Sequence, residues 1–278
     1  MYLRPRSLEE ALSALAAHGG RILSGGTDFY PAQGDRPIAG PIVDISQLEE
    51  LSGVSITPGE VRFGARTTWS TIVHAPLPRA FDALKLAARE VGSVQIQNRG
   101  TLGGNLCNAS PAADGVPPLL VLDAEVELVS PEGVRRLPVG AFISGYRRTE
   151  LRPDEILAAI VVPRTIEGPS TFLKLGARRY LVISIAMVAT VLEADAQGRI
   201  SQARVAVGAC SAVAQRLPRL EAALAGARIE PGLGALVEPD HVAALSPISD
   251  VRASAEYRRD AARTLVARAL DAFAEEAR

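Results

Sequence analysis

Cysteine is almost missing from this chain: Cys107 and Cys210 are the only two in 278 residues. Two thiols cannot build a disulfide framework, and they cannot ligate an iron–sulfur cluster or a structural zinc within the chain. Such scarcity reads as a reduced, cytoplasmic protein. Histidine is equally sparse, and His18, His74 and His241 fall at helix ends or surfaces with no metal-binding spacing, so no metal is expected. No apolar run approaches the roughly eighteen residues a membrane span requires. The richest, Leu181 to Leu192, is broken by Ser184 and Thr190 and reads as core. Met1-Tyr2-Leu3-Arg4-Pro5-Arg6 leads straight into a helical pattern without the apolar stretch of a secretory leader. With a formal net charge of −1 there is no positive field for nucleic acid or an anionic membrane.

What is present is an ordinary globular composition, 47% apolar and 22% charged, in a chain long enough for two or three compact units. Ser7-Leu8-Glu9-Glu10 forms a capping-box pattern, and Leu8, Ala11, Leu12 and Leu15 follow at helical spacing until Gly19-Gly20. Arg21-Ile22-Leu23 and Ile42-Val43-Asp44-Ile45 read as short buried strands. Val54–Thr57 and Val61–Gly64 flank Pro58-Gly59 as a hairpin, and Ala124–Ser130 with Val134–Leu137 form another, turning at Glu132-Gly133. Helices are expected after Thr67 or Thr68 and after Pro78. Strand Ile156–Val162 ends at Pro163, and Thr165–Ser170 carries the turn formers of a linker. Beyond it lie strands Phe172–Leu175, Ile183–Leu192 and Ala203–Gly208. Helices follow around Leu217–Leu224, near Leu233–Leu245 and over about Ala255–Ala274.

Two glycine strings carry the chemistry: Ser24-Gly25-Gly26-Thr27-Asp28, and Thr101-Leu102-Gly103-Gly104-Asn105 running on through Cys107, Asn108, Ser110 and Pro111 to Asp114. Adjacent glycines let a backbone approach a ligand closely and turn several N–H groups toward an anion. Neither string matches the Rossmann or P-loop fingerprint, so any phosphate site must be built differently. Cys107 and Cys210, with no base beside them in sequence, read as buried small residues rather than nucleophiles. No catalytic residue can be named, because nothing fixes the relative geometry of candidate acids, bases and nucleophiles.

These strings, with Asn98-Arg99-Gly100, Val43-Asp44-Ile45, Phe63-Gly64-Ala65, Asp154-Glu155-Ile156-Leu157, Lys174, Arg178-Arg179 and Asp250 to Arg258, resemble the FAD-binding medium subunit of the molybdenum hydroxylases. That group includes xanthine dehydrogenase and aerobic carbon monoxide dehydrogenase, and the resemblance spans almost the whole chain. It implies an α+β fold: a two-subdomain FAD-binding domain of the PCMH, vanillyl-alcohol-oxidase-like type over residues 1–165, divided near 55/56. A small antiparallel sheet with a helix bundle would follow over 170–278. It implies further that Ile22, Leu23, Ser24, Gly25, Gly26, Thr27, Asp28 and Phe29 wrap the FAD diphosphate and ribityl region. Gly100, Thr101, Gly103, Gly104, Asn105, Asn108, Ser110 and Asp114 would line an opposite jaw. Ile156, Leu157 and Lys174 would reach the isoalloxazine or adenine portions, and Asp114 a ribose or adenine group.

The same resemblance implies a complex, a dimer of heterotrimers, in which a large subunit hydroxylates a substrate at a molybdenum cofactor. A small subunit with two [2Fe–2S] clusters would relay electrons to FAD and so to an external acceptor. Two departures stand out. A lysine that usually follows the first string in that family is absent from Pro31-Ala32-Gln33-Gly34-Asp35, and a position beside the isoalloxazine, acidic in some members, is Leu181 here. Flavin potential and oxidant preference therefore do not carry over. The alternatives are a stand-alone FAD-dependent oxidase or reductase, and an assembly subunit that has lost its flavin. The chain has no substrate-binding insert and no residue placed to tether FAD covalently, and its glycine strings are intact.

Overall fold

The structure is a computed structural model and describes residues 1–276. The last two positions of the expected 170–278 unit lie outside the described residues. Helix Leu8–His18 starts at Ser7, whose hydroxyl accepts from the Glu10 N–H at 3.1 Å, and stops at Gly19, whose φ is 60°. Only half of the expected capping box forms, because the Glu10 carboxylate accepts from the N–H of Arg6 instead. The helix buries Ala11 and Leu15 against Val43 and Ile45, beside a parallel sheet of Tyr2–Leu3, Ile42–Asp44 and Arg21–Leu23 with Ile42–Asp44 in the centre.

The middle of the chain builds a five-stranded antiparallel sheet in the order Val54–Ile56, Glu60–Gly64, Ile156–Pro163, Glu125–Ser130, Gly133–Pro138. Both sequence-expected hairpins are there, and the strand that arrives last in sequence inserts between them. Ile156–Val162 is buried throughout because it serves two cores: Ile156 and Ala158 pack with the N-terminal unit, Leu157, Ile160 and Val162 with the central one. Strict alternation would put Leu157 and Ile160 on opposite faces; the register shift between Leu157 and Ala159 switches the parity and brings them together.

Strands Ser170–Leu175, Ala186–Ala194, Ile200–Gly208 and Gln215–Arg216 form a second antiparallel sheet in chain order. Alternation again divides its loyalties. Met187, Ala189 and Val191 join the central core, whereas Ala186, Val188 and Leu192 face Leu220, Ala262, Val266 and Leu270 of helices Pro218–Leu224 and Ala255–Glu276. The helix expected near Leu233–Leu245 is instead two short 3₁₀ turns, Leu233–Leu236 and Pro239–Val242. Pro239 supplies no N–H to continue an α-helical ladder from the first turn to the second. Strand Ile183–Leu192 begins three residues later than expected, at Ala186. The ribbon Ile143–Gly145 with Arg148–Thr149 and the edge strand Gln215–Arg216 were not expected. No helix is long and apolar enough to cross a membrane among the described residues.

Candidate functional site

The first glycine string leaves strand Arg21–Leu23, so its start is anchored by the parallel sheet; Ile45 donates to the Leu23 carbonyl at 2.8 Å. The second is not a free loop. Thr101 is an N-cap whose hydroxyl accepts from the Gly104 N–H at 3.1 Å, and Gly103-Gly104 form the first turn of helix Leu102–Asn108. That turn is pinned to residues 65–69 by three backbone bonds: Leu102 to Thr67 at 3.0 Å, Gly103 to Ala65 at 2.9 Å, and Trp69 to Gly100 at 3.3 Å.

The strings touch. A Cβ on Gly25 would stand 1.9 Å from the Arg99 carbonyl oxygen and 3.2 Å from the Gly100 Cα, so the glycine is required by backbone-to-backbone contact between the jaws. Gly104 differs: it is exposed, and a Cβ there would meet only the Thr101 hydroxyl, at 2.9 Å. It presents open backbone to the space the jaws enclose.

That space is a cavity of about 1060 Å³, at the top of the roughly 300–1,000 Å³ range of small-molecule sites. Of the residues singled out above, all but Leu23 border it: Ile22, Ser24, Gly25, Gly26, Thr27, Asp28 and Phe29; Gly100, Thr101, Gly103, Gly104, Asn105, Asn108, Ser110 and Asp114; Ile156, Leu157 and Lys174. Leu23 is buried in the fold instead. The Ser24 hydroxyl and the Asn105 Oδ1, one on each jaw, are buried with no hydrogen-bond partner in the protein. Leaving such a group unsatisfied costs about 1–3 kcal/mol. A cofactor with donors and acceptors along its length relieves both, and the open backbone at Gly104 admits a diphosphate closely. The residues therefore fit FAD.

At another wall Asp114 and Lys174, sixty positions apart, meet at 2.6 Å, and the other Asp114 oxygen accepts from the Ser184 hydroxyl, also at 2.6 Å. Lys174 Nζ donates in addition to the Glu90 carbonyl at 3.2 Å. Burial pushes the Asp114 carboxyl above the usual carboxylate range, opposed by the Lys174 ammonium and the Ser184 hydroxyl. Glu155 also lines the cavity; its bonds from Arg135 at 2.6 and 2.8 Å hold it below the usual range despite burial.

Cys107 corrects the expectation of a buried core thiol, since it is exposed on the cavity wall. It is nonetheless recessed among protein atoms, and that desolvation pushes it up to about 12, so it stays a thiol at neutral pH. Cys210 is buried as expected. Sequence reasoning missed the basic groups at the cavity: Arg21, whose guanidinium lies 4.7 Å from the Phe29 ring centroid, Arg152, and Arg147, which bonds Asn108. Arg147 sits at the tip of the unexpected ribbon, and its N–H donates to the Ala109 carbonyl at 3.0 Å. Ser144-Gly145, which ends the apolar run Ala141-Phe142-Ile143 just before the turn at Tyr146-Arg147, was the available signal.

Fold and site together define an α+β protein with two touching backbone jaws around one large cavity. Comparison with known families agrees: residues 1–165 match the FAD binding domain in molybdopterin dehydrogenase, and residues 171–273 the CO dehydrogenase flavoprotein C-terminal domain. The chain belongs to the FAD-binding medium subunits of the molybdenum hydroxylase family. It is 32% identical to the nicotine 6-hydroxylase medium subunit of Paenarthrobacter nicotinovorans, across 97% of this chain and 95% of that one. It is also 32% identical to the xanthine dehydrogenase FAD-binding subunit of Escherichia coli O157:H7, over 92% and 90%. Among solved structures it resembles carbon monoxide dehydrogenase from Hydrogenophaga pseudoflava, with a TM-score of 0.88 and 29% identity over 98% of this chain and 96% of that one.

Proposed function

We propose that this chain is the flavin relay of a molybdenum hydroxylase complex. It would accept electrons from the [2Fe–2S] clusters of a small partner subunit and deliver them to an external acceptor, while a large molybdopterin subunit hydroxylates the substrate. The observation that carries the reading is the pair of touching jaws around a cavity whose buried Ser24 and Asn105 oxygens lack protein partners. When bound, FAD supplies the ability to take up electrons singly and release them in pairs.

The chain's own residues hold and orient the cofactor. Backbone N–H groups around Gly25–Thr27 would serve the diphosphate, as fixed dipoles do at other anion sites, while Gly104, whose own N–H is held by the Thr101 hydroxyl, would let the cofactor approach the opposite jaw closely. Asn105 and Asn108 would fix polar groups along the chain of the cofactor, and Ile156 and Leu157 would exclude water from an apolar face. Asp114, kept in place by Lys174 and Ser184, offers a hydrogen-bonding edge of defined position. Residues 1–165 would form the FAD-binding domain, with subdomains meeting near 55/56, and 170–278 the C-terminal domain. The complex would be a cytoplasmic dimer of heterotrimers.

The test is expression alone and with the genes adjacent to this one. The chain alone should purify yellow and release FAD on denaturation. Coexpression should return three subunits, with substrate-dependent bleaching of the flavin. A folded, colourless chain that FAD does not reconstitute overturns the cofactor reading. A flavin that is reduced directly by a small substrate, with no partner present, would favour the stand-alone oxidase instead.

A further inference from the structure

A second groove, of about 490 Å³, shares Lys174 and Val182 with the large cavity. One wall is helix Asp82–Glu90, through Leu86, Arg89 and Glu90; the other is edge strand Ser170–Leu175 and the loop after it. Its charge is unbalanced. Arg89, Arg178 and Arg179 all border it, all are exposed, and none pairs with a carboxylate among the described residues. Glu90 is the one acid of the lining, and the Lys174 charge is already matched by Asp114.

The loop that presents two of these arginines is held in shape from within. Arg178 donates from Nε to the Tyr180 carbonyl at 2.9 Å and from Nη2 to that of Leu181. Gly176 lies so close under Val182 that a Cβ would stand 2.3 Å from the valine Cγ1. Leu181 adopts a φ of 53°, in the left-handed region that a leucine enters only under constraint. Arg179 rests over the Tyr180 ring at 5.3 Å. Arg178 thus spends one edge of its guanidinium in shaping the loop, and Arg179 on that loop and Arg89 across the groove are the groups placed to meet phosphate oxygens as planar forks.

We propose that this groove is a second ligand site, taking the phosphate groups of a small molecule next to the flavin cavity. Its size suits a compact anion rather than a protein surface. The proposal goes beyond the flavin reading and does not depend on it, because no arginine of the groove borders the FAD jaws.

Isothermal titration of FAD-loaded protein with inorganic tripolyphosphate and, separately, with ADP provides the test. Both probes should bind in the micromolar to submillimolar range, and Arg89→Ala with Arg179→Ala should weaken binding at least tenfold with FAD content unchanged. Arg178 is left intact because it shapes the loop. Tighter binding of ADP than of tripolyphosphate would assign a nucleotide, and the reverse a free polyphosphate; either supports the site. No heat at millimolar probe, or equal binding by the double variant, overturns it. If the protein carries no flavin, the titration still decides: probe bound in the empty large cavity survives the arginine substitutions, whereas probe in the groove does not.

Discussion

Gly25→Ala is the sharpest test of the jaw geometry. The added methyl carbon would lie 1.9 Å from the Arg99 carbonyl oxygen and 2.8 Å from the carbonyl carbon, both backbone atoms that cannot swing aside. Ordinary contact begins near 3.4 Å, so the jaws must part by about 1.5 Å, an overpacking of the kind that costs ~1–3 kcal/mol. The second jaw is bonded to residues 65–69, whereas the first continues into the short, largely exposed helix Phe29–Gln33. The displacement therefore falls on the first jaw, and the cost appears mainly as lost cofactor affinity. At about 1.4 kcal/mol per factor of ten, FAD binding should weaken roughly 10- to 100-fold. Apo protein titrated with FAD, followed by quenching of flavin fluorescence, measures this, with the melting temperature of the apo form recorded alongside. Binding within twofold of the parent would refute the claim that the jaws meet at Gly25. Should the variant fail to fold, Gly104→Ala serves: its methyl meets only the Thr101 hydroxyl, so the apo fold should persist while FAD binding weakens.

Lys174→Met leaves the Asp114 carboxyl with Ser184 as its remaining side-chain partner, and breaking a buried pair of this kind costs about 3–5 kcal/mol. The carboxyl is then raised further, so the native state keeps a proton the unfolded chain has lost; the deficit should be smaller at pH 5 than at pH 8, and thermal melts that fail to converge toward acid would refute the assignment. Glu155→Gln has the opposite pH signature. The native Glu155 is held low by Arg135, so its contribution is full above the unfolded value of about 4.3 and disappears as pH falls through the lower native value. Parent and variant should differ by about 1–3 kcal/mol at pH 7 and converge below pH 4 in urea titrations. For Cys107, a disulfide reagent at pH 8 should label the native apo protein far more slowly than the unfolded chain, since the thiol, though exposed to the cavity, is pushed up to about 12, whereas unfolding should release both thiols; native labelling as fast as that of the unfolded chain would contradict its recessed setting.

Features encoded in neighbouring residues were legible without a structure. The hairpins around Pro58-Gly59 and Glu132-Gly133, the Ser7 cap and the two glycine strings depend on turn and cap chemistry within a few positions, and each lies where the pattern placed it. All but one of the site residues named from the sequence border the same cavity, because they cluster in two short segments plus a few outliers. The sequence alone thus determined which backbone segments are free to approach a ligand. Tertiary structure decided why. Gly25 is needed because Arg99, seventy-four residues away, arrives against it, and Asp114 is positioned by Lys174, on a strand much later in the chain, and by Ser184, in the connection that follows that strand. The parity switch in Ile156–Pro163 and the placement of Cys107 on the cavity wall likewise depend on which surfaces pack together. Local propensity reaches a few residues along the chain, whereas these contacts follow from the burial of distant apolar faces, and no spacing rule carries that information.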